Sequence, residues 1–221
     1  MGFKLVVFDL DGTLIDSSKA ILDSLFAAMD CYSVKPAIER IDSHFFMGKS
    51  LKETLSILMP GYSPSVMQKV ADHYVSHYYG NQVGKVQLFD GVVDTIKALH
   101  NKGIILALAT AKHTSCAEQE LASTGIKKYF ERIQGTDNGV PSKPDPTILN
   151  DMLRELDVEP SKTMMVGDTD RDVLFGKNAK CVTCAVTYGN WNKDKFIKEC
   201  IIPDYFIDDI KELPSILDRS F

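Results

Sequence analysis

Side chains that could bind a metal ion or a phosphate group follow, or lie near, several short apolar segments of this sequence. They are Asp9, Asp11, Thr110, Lys143, Asp168, Asp170 and Asp172. If these segments are parallel strands, their carboxyl ends share one edge of a sheet, where open α/β sheets bind ligands. Carboxylates this close would repel, and a hard divalent cation such as Mg²⁺ would relieve that repulsion. The residue types therefore predict a site where a metal ion and a lysine neutralise a phosphoryl group.

The surrounding segments alternate between strand-like and helix-like patterns. Short apolar segments that end at turn-forming residues predict buried strands. They are Lys4–Phe8, Ile104–Ala109, Thr163–Val166, Cys181–Val186 and Tyr205–Ile207. Helical patterns lie between them, at Val92–Asn101, Ser115–Ser123 and Pro146–Leu156. The alternation predicts an α/β fold, a Rossmann-like, doubly wound parallel sheet with helices on both faces.

One long stretch departs from this alternation, because residues 17–84 show helical periodicity and no comparable strand. Helices are expected at Ala20–Met29, Leu51–Met59 and Val66–Tyr79. We predict an α/β core formed by residues 1–16 plus 85–221, and an inserted helical cap formed by residues 17–84. Hinges near Asp16–Ser18 and Gly84–Val86 would let the cap close over the site and select the ligand.

Composition limits the class of protein. The chain has 221 residues, 44% hydrophobic and 25% charged, with a formal net charge of −5, which is ordinary for a globular protein. No apolar run approaches the roughly 20 residues that span a bilayer, and the acidic balance argues against nucleic-acid binding. The cysteines are scattered and no signal-peptide pattern is present, so we expect a cytoplasmic protein that does not bind membranes.

Cys181 and Cys184 have the spacing of a redox or metal-binding pair. Both fall in a predicted strand, where residues three apart point to opposite faces, so we interpret them as buried structural thiols. The histidines show no metal-binding spacing. We therefore expect neither a redox pair nor a zinc site.

Four motifs, in order, resemble those of the haloacid dehalogenase superfamily. They are Asp9-Leu10-Asp11-Gly12-Thr13-Leu14, Thr110 after a strand, Lys143 in Ser142-Lys143-Pro144-Asp145-Pro146, and Gly167-Asp168-Thr169-Asp170-Arg171-Asp172. The helical stretch at 17–84 resembles the small cap of one subfamily, so the resemblance spans nearly the whole chain. Within the superfamily, the sequence is most similar to phosphoglycolate-phosphatase-like enzymes, including related pyrophosphatases.

The resemblance implies chemical roles for the aspartates. Asp9 would be the nucleophile, forming an aspartyl phosphate. Asp11 would protonate the leaving group and then activate water as a base. Asp9, Asp168 and the main-chain carbonyl of Asp11 would hold Mg²⁺. The acid at Asp11 favours phosphoryl transfer over dehalogenation, which needs neither that acid nor Mg²⁺.

The resemblance also implies a phosphate-binding set. Thr110 and the amide of Ala111 would bind phosphate oxygens, and Lys143 would neutralise the developing charge. Asp172 would orient Lys143 or act through water. The family often has Asn at the position of Ala111, so an expected side-chain donor is absent here, and Lys112 is a candidate to replace part of its role.

Several nearby residues have structural alternatives. We interpret Asp16 as part of the N-cap of the first cap helix, and Asp170 as a cap of its own helix. For Thr110, the alternatives are a simple helix N-cap, or an N-cap that also binds phosphate. The aromatic residues attributed to packing rather than to substrate contact are Tyr74, Tyr78 and Tyr79.

Together these features predict a Mg²⁺-dependent phosphatase of a small phosphorylated metabolite such as phosphoglycolate, acting as a monomer or weak dimer. Pyrophosphate and sugar phosphates are alternative substrates. Sugar-phosphate mutases of this type tend to have an Arg near the position of Leu51, which holds a second phosphate. The cap segment Phe46–Leu51 has no Arg, and this favours hydrolysis over mutase activity. Lys49 is an alternative group that could bind a second phosphate. A non-enzymatic binding module with the same fold is the alternative from another class.

Overall fold

A computed structural model describes residues 2–38, 48–137 and 139–218 of the chain. Phe46 and Met47 of the cap segment discussed above lie outside these residues. The strands are β1 Leu5–Phe8, β2 Ile15–Asp16, β3 Gln87–Leu88, β4 Ile105–Ala109, β5 Arg132–Gln134, β6 Thr163–Gly167, β7 Val182–Val186 and β8 Tyr205–Ile207. The helices are α1 Ser18–Cys31, α2 Leu51–Leu58, α3 Pro64–Asn81, α4 Val92–Asn101, α5 Thr114–Ser123, α6 Thr147–Glu155, α7 Asp170–Asn178, α8 Lys193–Lys198 and α9 Leu213–Asp218.

A six-stranded parallel sheet forms the centre of the fold, in the order β5–β4–β1–β6–β7–β8. Strand β1 lies between β4 and β6, and its Phe8 is level with Leu108 and with Val166. The residues that follow these three positions therefore emerge side by side at the carboxyl edge of the sheet. The predicted parallel α/β fold is confirmed.

Alternate residues of β1 pack on opposite faces of the sheet. Val6 and Phe8 join a buried cluster with helices α4 and α5, whereas Leu5 and Val7 join a cluster with α6 and α7. All of β1 is buried, which explains its continuous apolar sequence, because helices cover both faces. Cys184 belongs to the first cluster and Cys181 to the second, so these thiols lie on opposite sides of the sheet, as predicted.

Local capping signals set the ends of several helices. At the start of α2, the Ser50 amide donates to Glu53 Oε2 at 2.8 Å, and the Glu53 amide donates back to Ser50 Oγ at 3.3 Å. This capping box satisfies amides that have no partner inside the helix. Helix α4 is followed by Gly103 with φ +75°, a conformation that glycine adopts without a Cβ clash and that ends the helix where the sequence predicts.

Helices α1, α2 and α3 pack around a separate hydrophobic cluster, which includes Leu25, Met29, Leu55, Leu58 and Val70. The described part of residues 17–84 contains no strand. Strands β2 and β3 pair antiparallel where the chain enters and leaves this helical segment. The division into a core and a cap with two hinges remains a prediction.

Within the described residues, no helix combines the length and the apolar character needed to cross a bilayer.

Candidate active site

Lys143 joins two of the predicted aspartates at the carboxyl edge of the sheet. Its Nζ donates to Asp9 Oδ1 and to Asp172 Oδ1, each at 2.6 Å. All three side chains are buried, and Lys143 is only 3% exposed. A buried charge needs such a partner, because water is not there to solvate it. The contact also fixes Asp9 through Oδ1, the oxygen nearest the lysine.

Asp168 is held by groups from two other loops. Its Oδ2 accepts hydrogen bonds from the main-chain N–H of Asn190, at 2.7 Å, and from the Asn190 side chain. Its Oδ1 accepts from the Thr13 hydroxyl at 3.3 Å. Asn190 lies beyond the carboxyl end of β7, so a fourth strand end contributes to the site.

Asp9, Asp168 and Asp172 each offer a carboxylate oxygen, and these oxygens lie within 4.8 Å of one another. Three buried carboxylates face one ammonium, Lys143, so this cluster lacks positive charge. All the donor atoms are hard oxygens, the ligand type that Mg²⁺ prefers. The cluster therefore fits a divalent cation.

The pKa values of the clustered side chains also favour a bound cation. Burial raises the pKa of Asp9 well above its usual range, although Lys143 opposes the change. Burial, with the neighbouring Asp172, raises the pKa of Asp168 to about 7. For Lys143, burial acts to lower the pKa, but the carboxylates of Asp172 and Asp9 outweigh it and leave the pKa above its usual range. A bound cation would stabilise the ionised carboxylates.

Glycines allow the backbone to approach these carboxylates closely. A Cβ added to Gly12 would lie 2.2 Å from Asp168 Oδ2, and one added to Gly167 would lie 2.2 Å from Asp172 Cβ. Gly12 also has φ +89°, which disfavours any residue with a side chain. The Asp-x-Asp-Gly turn therefore requires this glycine for both space and conformation.

Asp11 is bound on a different side of the site. Its Oδ1 accepts a hydrogen bond from the Ser17 hydroxyl and one from Lys112 Nζ, the latter at 2.7 Å. Lys112 Nζ also donates to the Tyr78 hydroxyl at 3.0 Å, and Tyr78 donates to Glu120 Oε1 at 2.8 Å. The Asp11 side chain is thus separate from the Asp9 cluster, and the metal contact implied for it would involve its main-chain carbonyl.

Thr110 and Ala111 lie in the loop after β4. Thr110 is buried, and its Oγ1 accepts from the Lys112 amide at 3.2 Å. The Ala111 carbonyl accepts from the Thr136 hydroxyl at 2.6 Å. Helix α5 begins at Thr114 and its N-cap is His113, so the suggestion that Thr110 caps this helix is wrong.

The capping interpretations of two aspartates hold only in part. The amide of Ser18, the first residue of α1, donates to Asp16 Oδ1 at 3.2 Å, although the N-cap position belongs to Ser17. Asp170 is the first residue of α7 and follows the N-cap, Thr169. Asp170 is therefore not the cap, but an acidic residue in the first turn is favourable to the helix dipole.

A cavity of about 320 Å³ opens beside Asp9 and Asp11, large enough for a small ligand. Its lining includes Asp9, Asp11, Lys49, Leu51, Tyr74 and Thr110. Tyr74 and Tyr78 pack against neighbouring apolar groups, as predicted, but they also line this cavity. Helices α1–α3 and the carboxyl edge of the sheet therefore share its walls.

Lys49 lines the cavity near an ion pair between α7 and α2. Arg171 makes two hydrogen bonds to the Glu53 carboxylate, at 2.8 and 3.2 Å, and one to the Lys143 carbonyl at 2.9 Å. Burial and the neighbouring Arg171 lower the pKa of Lys49. A contact between Lys49 and substrate remains a prediction.

Sequence reasoning missed the contacts of Ser17, Glu120 and Asn190 at this site, and it assigned Tyr78 to packing. Asn190 could have been predicted, because it is a polar residue that follows a predicted strand, as Asp168 does. The other three lie on helices or at a helix start, where nothing in the local pattern marks them as neighbours of Asp11.

The chain is similar to known proteins over nearly its whole length. Residues 6–186 match the family described as haloacid dehalogenase-like hydrolase. A pyrophosphatase PpaX from Halalkalibacterium halodurans is 30% identical over 99% of this chain and 97% of its own length. A phosphoglycolate phosphatase from Vibrio cholerae is 32% identical over 97% of this chain and 96% of its own length.

Solved structures show the same fold. A haloacid dehalogenase-like hydrolase from Streptococcus pneumoniae superimposes with a TM-score of 0.84 at 24% identity, covering 97% of this chain and 98% of that chain. The motif residues converge at one edge of such a sheet, and the family match spans most of the chain. The protein therefore belongs to the haloacid dehalogenase-like hydrolase family, as a phosphatase.

Proposed function

We propose that the protein is a Mg²⁺-dependent phosphatase that hydrolyses a small, phosphoglycolate-like phosphomonoester through an aspartyl phosphate on Asp9. The observation that carries this proposal is the buried Asp9 carboxylate, bound to Lys143, grouped with Asp168 and Asp172, and open to the cavity. It is further proposed to act as a monomer or weak dimer in the cytoplasm, without binding nucleic acid or membranes.

The proposed reaction has two displacements at phosphorus. The Asp9 oxygen not held by Lys143, Oδ2, attacks phosphorus. The bond to the leaving oxygen breaks, and Asp11 gives that oxygen its proton. A water molecule then attacks the aspartyl phosphate and loses a proton to Asp11, so inorganic phosphate leaves and both aspartates return to their starting states.

The proposed metal site is supported by the grouping of the Asp9, Asp168 and Asp172 carboxylates. Asp9, Asp168 and the main-chain carbonyl of Asp11 would hold Mg²⁺, and Asp172 would keep Lys143 in place. When bound, the cation offsets negative charge on the carboxylates and the phosphoryl group. Lys143 supplies a second positive charge to the same region.

Thr110 and Ala111 are proposed to bind the oxygens of the transferring phosphoryl group. Thr110 would use its hydroxyl and Ala111 its main-chain N–H, since alanine offers no side-chain donor. Both residues line the cavity that contains Asp9 and Asp11. Donors placed where charge develops would lower the barrier without having to reorganise during the reaction.

We propose that residues 17–84 act as a cap that closes over this site. Supporting observations are the β2–β3 pairing at its two connections and the shared walls of the cavity. Gly84, at the second proposed hinge, has φ +82°. Closure would exclude water and bring cap residues against the leaving group.

A second candidate substrate is pyrophosphate, because two relatives named pyrophosphatase PpaX are 30% identical to this chain over nearly their full lengths. Relatives named phosphoglycolate phosphatase are equally similar. Lys49, on the cavity wall, is the candidate group for a second anionic centre in either substrate.

Phosphate release from an aryl phosphate, phosphoglycolate, pyrophosphate and sugar phosphates tests the proposal. We expect activity that EDTA abolishes and Mg²⁺ restores, with the highest kcat/KM on phosphoglycolate. Asp9→Asn removes the nucleophile and is expected to lose activity on every substrate. Wild-type activity in Asp9→Asn would refute the assignment of Asp9, and an inactive wild type would favour a binding module. Faster turnover of pyrophosphate would change the assigned substrate and leave the mechanism unchanged.

A further inference from the structure

A partly buried chain of hydrogen bonds connects Asp11 to two helices. It passes from Asp11 to Lys112 at 2.7 Å, from Lys112 to Tyr78 at 3.0 Å, and from Tyr78 to Glu120 at 2.8 Å. Tyr78 lies on α3 and Glu120 on α5, and both are at most 2% exposed. The chain therefore links the proposed acid–base group to the helical segment, and its far end, at Tyr78 and Glu120, is buried.

The donors and acceptors along this chain are compatible at every step. Lysine can only donate, so Tyr78 accepts from Lys112 and uses its own hydrogen to donate to Glu120. Lys112 Nζ also lies 4.6 Å from the centre of the Tyr78 ring, a cation–π distance.

Two donors fix one oxygen of Asp11. Ser17 and Lys112 both donate to Oδ1, while Oδ2 accepts no hydrogen bond from the described residues. Rotation of the carboxyl group would break both bonds. The arrangement therefore leaves Oδ2 as the oxygen that can exchange a proton with substrate or water.

Glu120 is an unusual residue to find at the end of this chain. It is fully buried, and its Oε2 has no hydrogen-bond partner among the described residues. An incompletely satisfied buried carboxylate costs stability, which packing alone does not explain. Its described side-chain hydrogen bond comes from Tyr78. Because the Tyr78 hydrogen points to Glu120, the Tyr78 oxygen is free to accept from Lys112.

We propose that Lys112 is a positioning residue that holds Asp11 in the orientation for proton transfer, and that Tyr78, oriented by Glu120, makes this orientation depend on the docking of α3. The inference rests on the proposed function, because it concerns the proton that Asp11 gives to the leaving group. Displacement of α3 would release Lys112 and allow Asp11 to rotate.

If Asp11 is misplaced, the resulting loss of kcat/KM is expected to depend on the leaving group. Nitrophenolate is a weak base and departs without receiving a proton. Phenolate is more basic and methoxide more basic still, so their departure depends increasingly on a correctly placed acid. The ratio kcat/KM reports steps up to the first irreversible one, here formation of the aspartyl phosphate. A fault in Asp11 placement therefore lowers kcat/KM more as the leaving group becomes more basic.

The test measures kcat/KM for nitrophenyl, phenyl and methyl phosphate with wild type, Tyr78→Phe, Lys112→Met and Lys112→Arg. For Tyr78→Phe and Lys112→Met, we expect a loss of about tenfold on phenyl and methyl phosphate but less than about twofold on nitrophenyl phosphate. Lys112→Arg keeps the charge and the donors, and is expected to recover part of the loss.

Tyr79→Phe is the matched control. It removes a hydroxyl from the same helix that bonds Ser115 of α5 at 2.7 Å, and we expect the wild-type dependence on leaving group. Three outcomes would overturn the proposal. They are an equal loss of kcat/KM on all three esters, unchanged kinetics in Tyr78→Phe and Lys112→Met, and an effect of Tyr79→Phe equal to that of Tyr78→Phe. Failure of the proposed function is recognised separately, by a wild type inactive on every ester or by an active Asp9→Asn.

Discussion

Among individual residues, Lys143 has the strongest influence on the charge balance of the site. It contacts Asp9 and Asp172 at 2.6 Å, and both partners are buried. A buried ion pair adds little net stability, because desolvation offsets the attraction. Removing its cation is different, since the carboxylates then remain buried without a counter-charge. We therefore expect Lys143 to contribute to folding as well as to the proposed chemistry.

Lys143→Met tests that conclusion. Without bound metal at neutral pH, we expect it to lower the free energy of unfolding by about 3–5 kcal/mol and to abolish phosphatase activity. Urea denaturation in EDTA measures the stability. The control is Lys97→Met, which makes the same change at an exposed position of α4. Equal stability of the two variants would contradict the importance of Lys143 in neutralising the cluster.

Gly12 is a second residue with a structural role that can be measured. In Gly12→Ala, the new Cβ would meet Asp168 Oδ2 at 2.2 Å, and relief of such a clash typically costs about 1–3 kcal/mol. Gly61→Ala is the matched control, because Gly61 has φ +88° and no heavy atom within 4 Å of the added Cβ. We expect a larger loss of stability for Gly12→Ala in thermal unfolding, together with lost activity. Equal losses would mean that backbone strain alone is responsible.

Among the elements, the contact between α3 and α5 is notable for its buried polar groups. Burial raises the pKa of Glu120, whereas Lys112 and the hydrogen bond from Tyr78 act to lower it and Asp11 acts to raise it. The net pKa is above the usual value of a glutamate. Folding therefore favours the protonated form of this side chain.

The direction of that change predicts a pH dependence of stability. Glu120 stabilises the fold most below its unfolded pKa, and the contribution is lost as the pH rises through its folded pKa. Glu120→Gln keeps an acceptor for Tyr78 and removes the titration. We expect the difference in free energy of unfolding, Glu120→Gln minus wild type, to increase from acidic to neutral pH. Urea titrations at several pH values measure this difference.

Glu118→Gln, the same change at a partly exposed position of α5, corrects for general effects of the substitution. A stability difference between Glu120→Gln and wild type that stays constant, or decreases toward neutral pH, would contradict the pKa direction.

At the scale of the whole molecule, the net charge of −5 is a poor guide to the charge of the ligand. Several of the acidic residues meet at one buried site, where Lys143 and a bound cation would make the surroundings favourable to phosphate. Helices α1–α3 contribute the opposite wall of the cavity. Charge is therefore organised locally, by the convergence of distant segments.

The sequence predicted the parts of the fold that depend on local pattern. Strands β1, β4, β6, β7 and β8 are apolar segments that end at turn formers, and their observed bounds lie within one residue of those predicted. Strand β5, Arg132–Gln134, was missed because it has three residues, two of them polar. Parallel pairing then brought the motif residues to one edge.

The rest depends on how elements pack. Tyr78 and Glu120 meet because α3 lies against α5, a relation that helical periodicity does not encode. Ser17 occupies an N-cap position, yet its hydroxyl bonds Asp11 instead of a helix amide. Such contacts follow from tertiary geometry, so motifs located Asp11 but did not show what orients it.

Trapping the proposed phosphoenzyme tests the role of Asp9 as nucleophile most directly. Wild type and Asp9→Asn would be mixed with substrate and Mg²⁺, quenched within one turnover, digested and analysed by mass spectrometry. The proposed mechanism predicts one phosphoryl group on the peptide that contains Asp9 in wild type, and none in Asp9→Asn. A phosphoryl group on another residue, or turnover by Asp9→Asn at the wild-type rate, would contradict it.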